Sequence, residues 1–266
     1  MKVGFIGTGN MGGALARAAA KGGHTLLLAN RTPAKAAALA KELGGTVCPN
    51  AEAAEKAELL FLGVKPQGLP GLAGELAPVL QARKGNAPVV VSMATAVTLR
   101  ELDAMLGGGL PLIRVMPNTP AAVGAGTILY AAQNVTDAQL NAFRAVLAQA
   151  GLLLPLPEEK IDAASAISGC GPAFCFQFAD ALALGGVRAG LSYPDACRLA
   201  AQTMLGAAEM LLQGGEAPDV LKMRVCSPAG TTIEGVLALE QGGFSYTVQN
   251  AVTAAYRRTV EMTKKG

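Results

Sequence analysis

Three glycines near the start of the chain leave it few folds to choose from. In "GFIGTGNMGGALA", Gly7, Gly9 and Gly12 stand in a G-x-G-x-x-G spacing, directly after the apolar run "KVGFI" and at the opening of a helical stretch. In that setting the first glycine permits a tight turn, the second lets backbone approach a pyrophosphate, and the third lets helix and strand pack closely. The helix start adds unpaired N–H groups and the positive end of a dipole. A lone pattern of this kind says little. Placed at the first turn of a strand–helix series, it predicts a dinucleotide-binding loop made of Gly7, Thr8, Gly9, Asn10, Met11 and Gly12.

The series itself is legible up to about residue 157. "KVGFI", "TLLLA", "ELLFL", "PVVVS" and "PLIRV" read as strands. "NMGGALARAAAKGG", "TPAKAAALAKELGG", "NAEAAEKA" and "TLRELDAMLGG" read as helices, several closed by glycine. Strands alternating with helices imply crossover units and a parallel sheet, a doubly wound α/β fold of the Rossmann type. "GTILYAA" and "GLLLPLP" extend its edge, with a helix around residues 136–150 between them.

From residue 158 onward no strand is expected, and Ala/Leu/Met-rich helical text takes over. "AAQTMLGAAEMLL" is apolar almost all the way round, so it needs cover on every side. A helical region of that size cannot bury so much by itself. The expectation is a second, all-helical domain over 158–266 that forms an intertwined homodimer. In "SGCGPAF", Pro172 should kink an otherwise long helix, and Gly169 and Gly171 leave room for close approach.

The end of the second strand selects among dinucleotides. A site preferring NAD puts a carboxylate there for the ribose 2′-hydroxyl. This chain has "LLLANRTPAK", with Asn30 and Arg31 instead. Arg31 can fork onto a 2′-phosphate, Lys35 adds charge, and Thr32 is placed to cap the next helix with Pro33 in its first turn. NADPH is therefore expected over NADH, which remains possible. Ligands of open α/β sheets lie beyond the carboxyl ends of strands. Gly63, Val64, Lys65 and Pro66 form one such tip, and Met93, Ala94 and Thr95 another. "RVMPNTPAAVGAG" ends a further strand in a stiff loop, which either walls the nicotinamide, with Asn118 against the cofactor, or is only a rigid turn.

Composition closes off other classes. The chain has 266 residues, is 51% hydrophobic and 15% charged, and has a net charge of +3 without a basic stripe, so nucleic acid is not an expected partner. Its longest uninterrupted apolar runs fall short of the roughly 20 residues of a membrane span. "MKVGFIG" breaks too soon into a glycine turn to be an export signal, so a cytoplasmic location is expected. Five cysteines without a C-x-x-C pair and a single histidine give no plausible metal set. Most of the cysteines are read as small buried hydrophobes.

A second motif, "SPAGTTIEG", raises the question of a substrate. Thr231 and Glu234 have the S/T-x-x-E spacing of a capping box, with Thr231 as N-cap. Thr232 then has a hydroxyl with no capping duty beside a helix start suited to a small carboxylate.

With these stretches in view, the chain resembles pyrroline-5-carboxylate reductases. The resemblance is carried, in family order, by "VGFIGTGNMG", "FLGVKPQ", "RVMPNTPAAVGAG", "SAISGCGPAFCFQFADAL" and "VCSPAGTTIEGVLALEQGGF". It implies a Rossmann domain followed by a helical dimerisation domain, in dimers that can assemble into decamers. It also implies reduction of L-1-pyrroline-5-carboxylate to L-proline by NAD(P)H. By the same resemblance Thr232 hydrogen-bonds the ring nitrogen, amides around Gly230, Thr231 and Thr232 hold the carboxylate with Ser227 close by, and Asn50 meets a ribose. Ala229 stands where the family often has glycine, and "SMATAV" departs from the more usual Ala-Ala-Gly.

The chemistry needs little from the protein. The cofactor supplies hydride, and a cyclic imine is basic enough to arrive protonated, so positioning matters more than a strong acid. His24, at the wrong end of the strands, is read as structural. Two rivals remain: a β-hydroxyacid dehydrogenase, whose catalytic lysine has no counterpart in "SGCGPAFCFQ", and a non-catalytic NADPH-binding regulator.

Overall fold

The computed structural model describes residues 1–83 and 85–263. Strands β1 (Lys2–Ile6), β2 (Thr25–Ala29), β3 (Thr46–Val47), β4 (Leu59–Leu62), β5 (Val89–Ser92), β6 (Leu112–Pro117), β7 (Gly126–Gln133) and β8 (Gly151–Pro155) form one sheet. Their order is β3-β2-β1-β4-β5-β6-β7-β8. Neighbours run parallel except β6 and β7. After β1 the chain winds outward through β2 and β3, then returns to the other side of β1 as β4. The carboxyl ends of β1 and β4 therefore flank the point where the winding reverses, the place where open sheets of this kind leave a crevice.

The strands read as continuous apolar runs because both faces of the sheet are covered. Val3, Phe5, Leu26, Leu28, Phe61, Val91, Ile113 and Val115 face one core with residues of helices α1 (Asn10–Lys21), α2 (Pro33–Leu43) and, later in the chain, the helix Asp137–Leu147. Phe5 and Phe61 stack there with centroids 4.6 Å apart. Ile6, Leu27, Leu60, Leu62, Val90, Leu112 and Met116 point the other way. They meet α3 (Asn50–Lys56), α4 (Leu69–Ala82) and α5 (Leu99–Met105). Helix α6 (Asp137–Leu147) links β7 to β8. The chain then enters α7 (Glu158–Ser168), whose buried Ile161 joins the second core.

Helix α4 and strand β3 were not anticipated. Pro70 lies in the first turn of α4 and Pro78 inside it, yet the helix persists because Leu69, Leu72, Ala73, Leu76 and Leu80 bury one face. Strand β3 has only two residues, too few to show a period.

After α7 the chain is helical throughout, in α8 (Gly171–Arg188), α9 (Tyr193–Gly214), α10 (Pro218–Val225), α11 (Thr231–Gln241) and α12 (Phe244–Thr263). The break expected at "SGCGPAF" falls at Gly169 and Cys170, and Pro172 sits in the first turn of α8. By internal contacts the chain divides into Met1–Cys170 with the segment from Ala255 onward, and Gly171–Ala254. The change of composition at Pro157 does not coincide with that division.

Within the second unit α8 and α9 pack on each other, with Gly186 against Ala196. The Tyr193 hydroxyl donates to Asp180 at 2.8 Å, which pushes the phenol up to about 12. The full cover expected for α9 is not provided by the chain itself. Only Ala196 and Ala200 of that helix are buried, whereas Leu199, Leu205, Met210 and Leu212 are exposed. The reading of most cysteines as buried also fails here. Cys48 alone is buried, burial pushing its thiol up, while Cys175 is exposed and the other three are half-buried. The stretch Glu158–Arg188 is long and apolar enough to cross a membrane by length and composition. A search for uninterrupted apolar runs passes over it because charged residues and the Gly-Cys break are scattered along it.

Candidate active site

The first cluster lies where β1 and β4 end. Gly7 has φ +96°, and a Cβ there would lie 2.5 Å from the Gly63 carbonyl oxygen, while one on Gly63 would lie 2.5 Å from that of Gly7. A Cβ on Gly12 would collide with the same Gly7 carbonyl. These three are glycine because the backbone packs there. Gly9 is different. It caps α1 with φ −70° and ψ −167°, open to any residue, and a Cβ on it would meet nothing within 4 Å. No atom of the chain requires glycine at that position, which leaves room for something outside it.

Around this loop the chain has polar groups to offer. Helix α1 begins without a side-chain cap, so its first N–H groups are open. The Thr8 hydroxyl is buried and has no hydrogen-bond partner, an expensive state unless a ligand or water meets it. Asn10 is exposed and Met11 half-buried. A pyrophosphate fits this donor set.

Asn30 works as a brace. Its Oδ1 accepts from the Thr8 N–H and its Nδ2 donates to the Thr32 carbonyl, both at 3.0 Å, joining the glycine loop to the next turn. Thr32 is the N-cap of α2 with Pro33 after it, as the sequence suggests, but its side chain makes no capping bond. Arg31 is exposed and makes no side-chain bond, and Lys35 lines the groove between α1 and α2 that opens at Gly9. Beside it Arg17 forks onto Glu42 at 2.6 and 2.7 Å.

The remaining strand tips divide into lining and scaffold. Gly63 and Val64 are half-buried, Lys65 is exposed, and Pro66 opens a short 3₁₀ turn. The Met93 side chain lies against Gly63 and Gly12, Ala94 is buried, and Thr95 is half-buried. Ala96, beyond it, has φ +61°. Asn50 donates from Nδ2 to Glu75 at 3.0 Å, which occupies the donor end of its amide. Asn118 is buried, donates to the Ser168 carbonyl and accepts from the Thr127 N–H, each at 2.8 Å. Both ends of its amide are thus held by the protein, which stiffens the loop at this strand tip. His24 lies before β2, away from the tips, and burial lowers its pKa.

One residue was missed. Arg114, inside β6, is 3% exposed and reaches Asp162 at 2.5 Å and Glu158 at 3.4 Å. The signal was present as a lone arginine within "LIRVM", since a buried strand tolerates a charge only with carboxylates opposite it.

The second cluster starts α11, and here the capping-box reading is overturned. Gly230 is the N-cap, Thr231 and Thr232 are the first two helical residues, and no side chain caps the helix. Ser227 is the reason. Its carbonyl accepts from the Gly230 N–H at 3.0 Å, closing a turn with Pro228 second and Ala229 third at φ +55°. That turn brings the Ser227 hydroxyl onto the space a Cβ of Gly230 would fill. The helix therefore begins one residue early. Both threonine hydroxyls stay free of hydrogen bonds, both side chains are exposed, and no side chain caps the first N–H groups of α11.

Comparison with known proteins shows the family in which these two clusters occur. Residues 158–262 match the family described as pyrroline-5-carboxylate reductase dimerisation, and residues 2–96 match that described as NADP oxidoreductase, coenzyme F420-dependent. The pyrroline-5-carboxylate reductase of Glycine max is 38% identical over 98% of this chain and 95% of its own length. A pyrroline-5-carboxylate reductase structure from Coxiella burnetii superposes with TM-score 0.90 at 31% identity, covering 97% of both chains. The Plasmodium falciparum enzyme, solved with NADP bound, gives TM-score 0.86 at 30% identity over 99% of both.

The chain belongs to the pyrroline-5-carboxylate reductase family. It is an oxidoreductase that uses NAD(P)H, and its second half is a self-association domain. In this reductase two alanines are left-handed, Ala96 beyond the tip of β5 and Ala229 in the turn before α11. An L-residue with a side chain holds that conformation at a cost of about 1–2 kcal/mol.

Proposed function

We propose that this reductase converts L-1-pyrroline-5-carboxylate to L-proline, prefers NADPH, and works as a cytoplasmic homodimer without nucleic-acid or membrane partners. The observation that carries the substrate side is the start of α11, with open N–H groups and two threonine hydroxyls free of capping. A small carboxylate sits on the N–H groups of Thr231 and Thr232 beside Gly230, with the Ser227 hydroxyl at hand. The Thr232 hydroxyl meets the ring nitrogen.

The cofactor, when bound, supplies hydride to the imine carbon. The open N–H groups of α1 and the Thr8 hydroxyl take its pyrophosphate. Arg31 takes the 2′-phosphate with help from Lys35, and the tips at Gly63–Pro66 and Met93–Thr95 line the rest. The imine enters protonated. Its nitrogen loses positive charge as the hydride adds, and Thr232 changes from accepting a hydrogen bond to donating one. No strong general acid is required.

Self-association rests on α8 and α9, whose exposed leucines and methionines need cover, and on an apolar groove of about 520 Å³ lined by Phe174, Phe178, Met204, Leu239 and Phe244. A second copy covers both, and dimers assembling into decamers extend the same principle.

Following NADPH absorbance with the imine as substrate tests the reading. Rapid oxidation with the imine, and none of the reverse reaction with 3-hydroxy acids and NADP, is expected. Activity on the hydroxy acids alone would indicate the dehydrogenase, and binding without turnover would indicate the regulator.

A further inference from the structure

Strands β1 and β2 stay joined beyond their last paired residues, Ile6 and Ala29. The Gly7 N–H donates to the Ala29 carbonyl at 2.8 Å, still a bond between backbones. At Gly7 the chain turns, with φ +96°, and the next rung is made by a side chain: the Thr8 N–H donates to Oδ1 of Asn30 at 3.0 Å. The other end of the same amide donates to the Thr32 carbonyl at 3.0 Å. That carbonyl also accepts the Lys35 N–H in the first turn of α2, again at 3.0 Å. Asn30 therefore ties the start of the glycine loop to the start of α2, and all of these atoms lie within the nucleotide-binding unit.

The residue type suits this duty. An amide carries an acceptor and a donor on one planar group, and here each faces its complement. A carboxylate at the same place would keep the bond to the Thr8 N–H but set its second oxygen against the Thr32 carbonyl. What the tie leaves over is on Thr8 itself. That residue is 8% exposed, its N–H is taken, and its hydroxyl is buried without a partner. A buried donor of that kind is costly unless something meets it. Beside it Gly9 leaves open the space that a Cβ would occupy.

We propose that Asn30 is a positioning residue for the pyrophosphate of the dinucleotide: it holds Thr8 so that the Thr8 hydroxyl and the open N–H groups of α1 are set before the cofactor arrives. It touches neither the ribose nor the 2′-phosphate. Asn30 therefore contributes affinity that NADPH and NADH share, while Arg31 discriminates between them. The proposal rests on the pyrophosphate lying at the start of α1, as described above.

The test uses the full chain. Fluorescence titration measures affinity for NADPH and NADH, and competition measures it for ADP and 2′-deoxy-ADP, which carry a diphosphate without nicotinamide. Asn30→Ala should weaken each of these ligands about tenfold, because the loop must then be ordered on binding. Asn30→Ser, too short to span to the Thr8 N–H, carries the same expectation if the alanine variant does not fold. Asn30→Asp keeps the acceptor for Thr8, so its affinity for NADH and ADP should stay within about threefold of the parent. A loss with ADP that is absent with 2′-deoxy-ADP would make Asn30 a ribose contact, and a loss with NADPH alone would make it a 2′-phosphate contact. Either result overturns the proposal. So would parental affinities in a folded variant with a lower melting temperature, or an equal loss of ADP affinity in Asn30→Asp and Asn30→Ala. If Gly9→Ala, measured beside them, binds every ligand as the parent does, it is the placement of the pyrophosphate at α1 that falls.

Discussion

The two units of this chain solve the problem of burial in opposite ways. The nucleotide-binding unit buries both faces of the central strands of its sheet with its own helices, leaving Leu152 and Leu154 of the edge strand β8 exposed, and its buried polar groups are mostly paired, down to a buried arginine with two carboxylates. The helical unit has three buried residues, Ala183, Ala196 and Ala200, among those described, and leaves Leu212 81% and Phe176 70% exposed. One unit is folded by its own sequence. The other leaves an apolar surface for self-association to cover.

The largest effect that would break this contrast is steric. Gly12→Ala should destabilise the nucleotide unit by about 3 kcal/mol or more, because its Cβ meets backbone that cannot yield. Gly9→Ala should leave the melting temperature unchanged and weaken NADPH binding, since only the ligand needs that space. Calorimetry and a fluorescence titration separate the two, and equal melting losses in both variants would remove the ligand-based account of Gly9. Next is Leu205→Asp in α9. A carboxylate at a covered apolar site costs several kcal/mol, so sedimentation should show monomer at micromolar concentration while the sheet stays folded. A dimer as tight as the parent would place the interface elsewhere.

Smaller effects sharpen the picture at the two sites. Arg31→Asp removes a charge-assisted contact worth about 1.5–3 kcal/mol, so the ratio of kcat/KM for NADPH over NADH should fall about 10- to 100-fold. An unchanged ratio would take Arg31 out of the site. Ala229→Gly relieves a left-handed alanine at the cost of glycine's extra chain freedom, and these nearly cancel. A gain of about 0.5 kcal/mol in stability is expected, and a clear loss would show that Ala229 does more than turn the chain.

Legibility in the sequence followed the same contrast. Parallel strands wetted on neither face are continuous apolar runs, so five of them and their helices could be read directly. Helix α4 could not, because Pro70, Pro78 and its glycines speak against a helix that only packing sustains. At the site, residue types pointed to loops but not to the partners of their side chains. The spacing of Thr231 and Glu234 fits a capping box, and only the Ser227 turn shows that Gly230 takes the cap. The amides of Asn30, Asn50 and Asn118 looked equally available for a ligand, and each has a protein partner set by distant chain. The incomplete burial of α9 was visible as an excess of leucine and methionine, but which surface covers it is not written in this chain's own contacts.

Turnover of Thr232→Ala is the most direct test of the account. With NADPH and L-1-pyrroline-5-carboxylate, kcat should fall about 10- to 100-fold, at the low end of what a positioned proton donor contributes, while NADPH affinity stays within twofold of the parent. Parental turnover in that variant would contradict the account, because the one hydroxyl it places on the ring nitrogen would then have no part in the reaction.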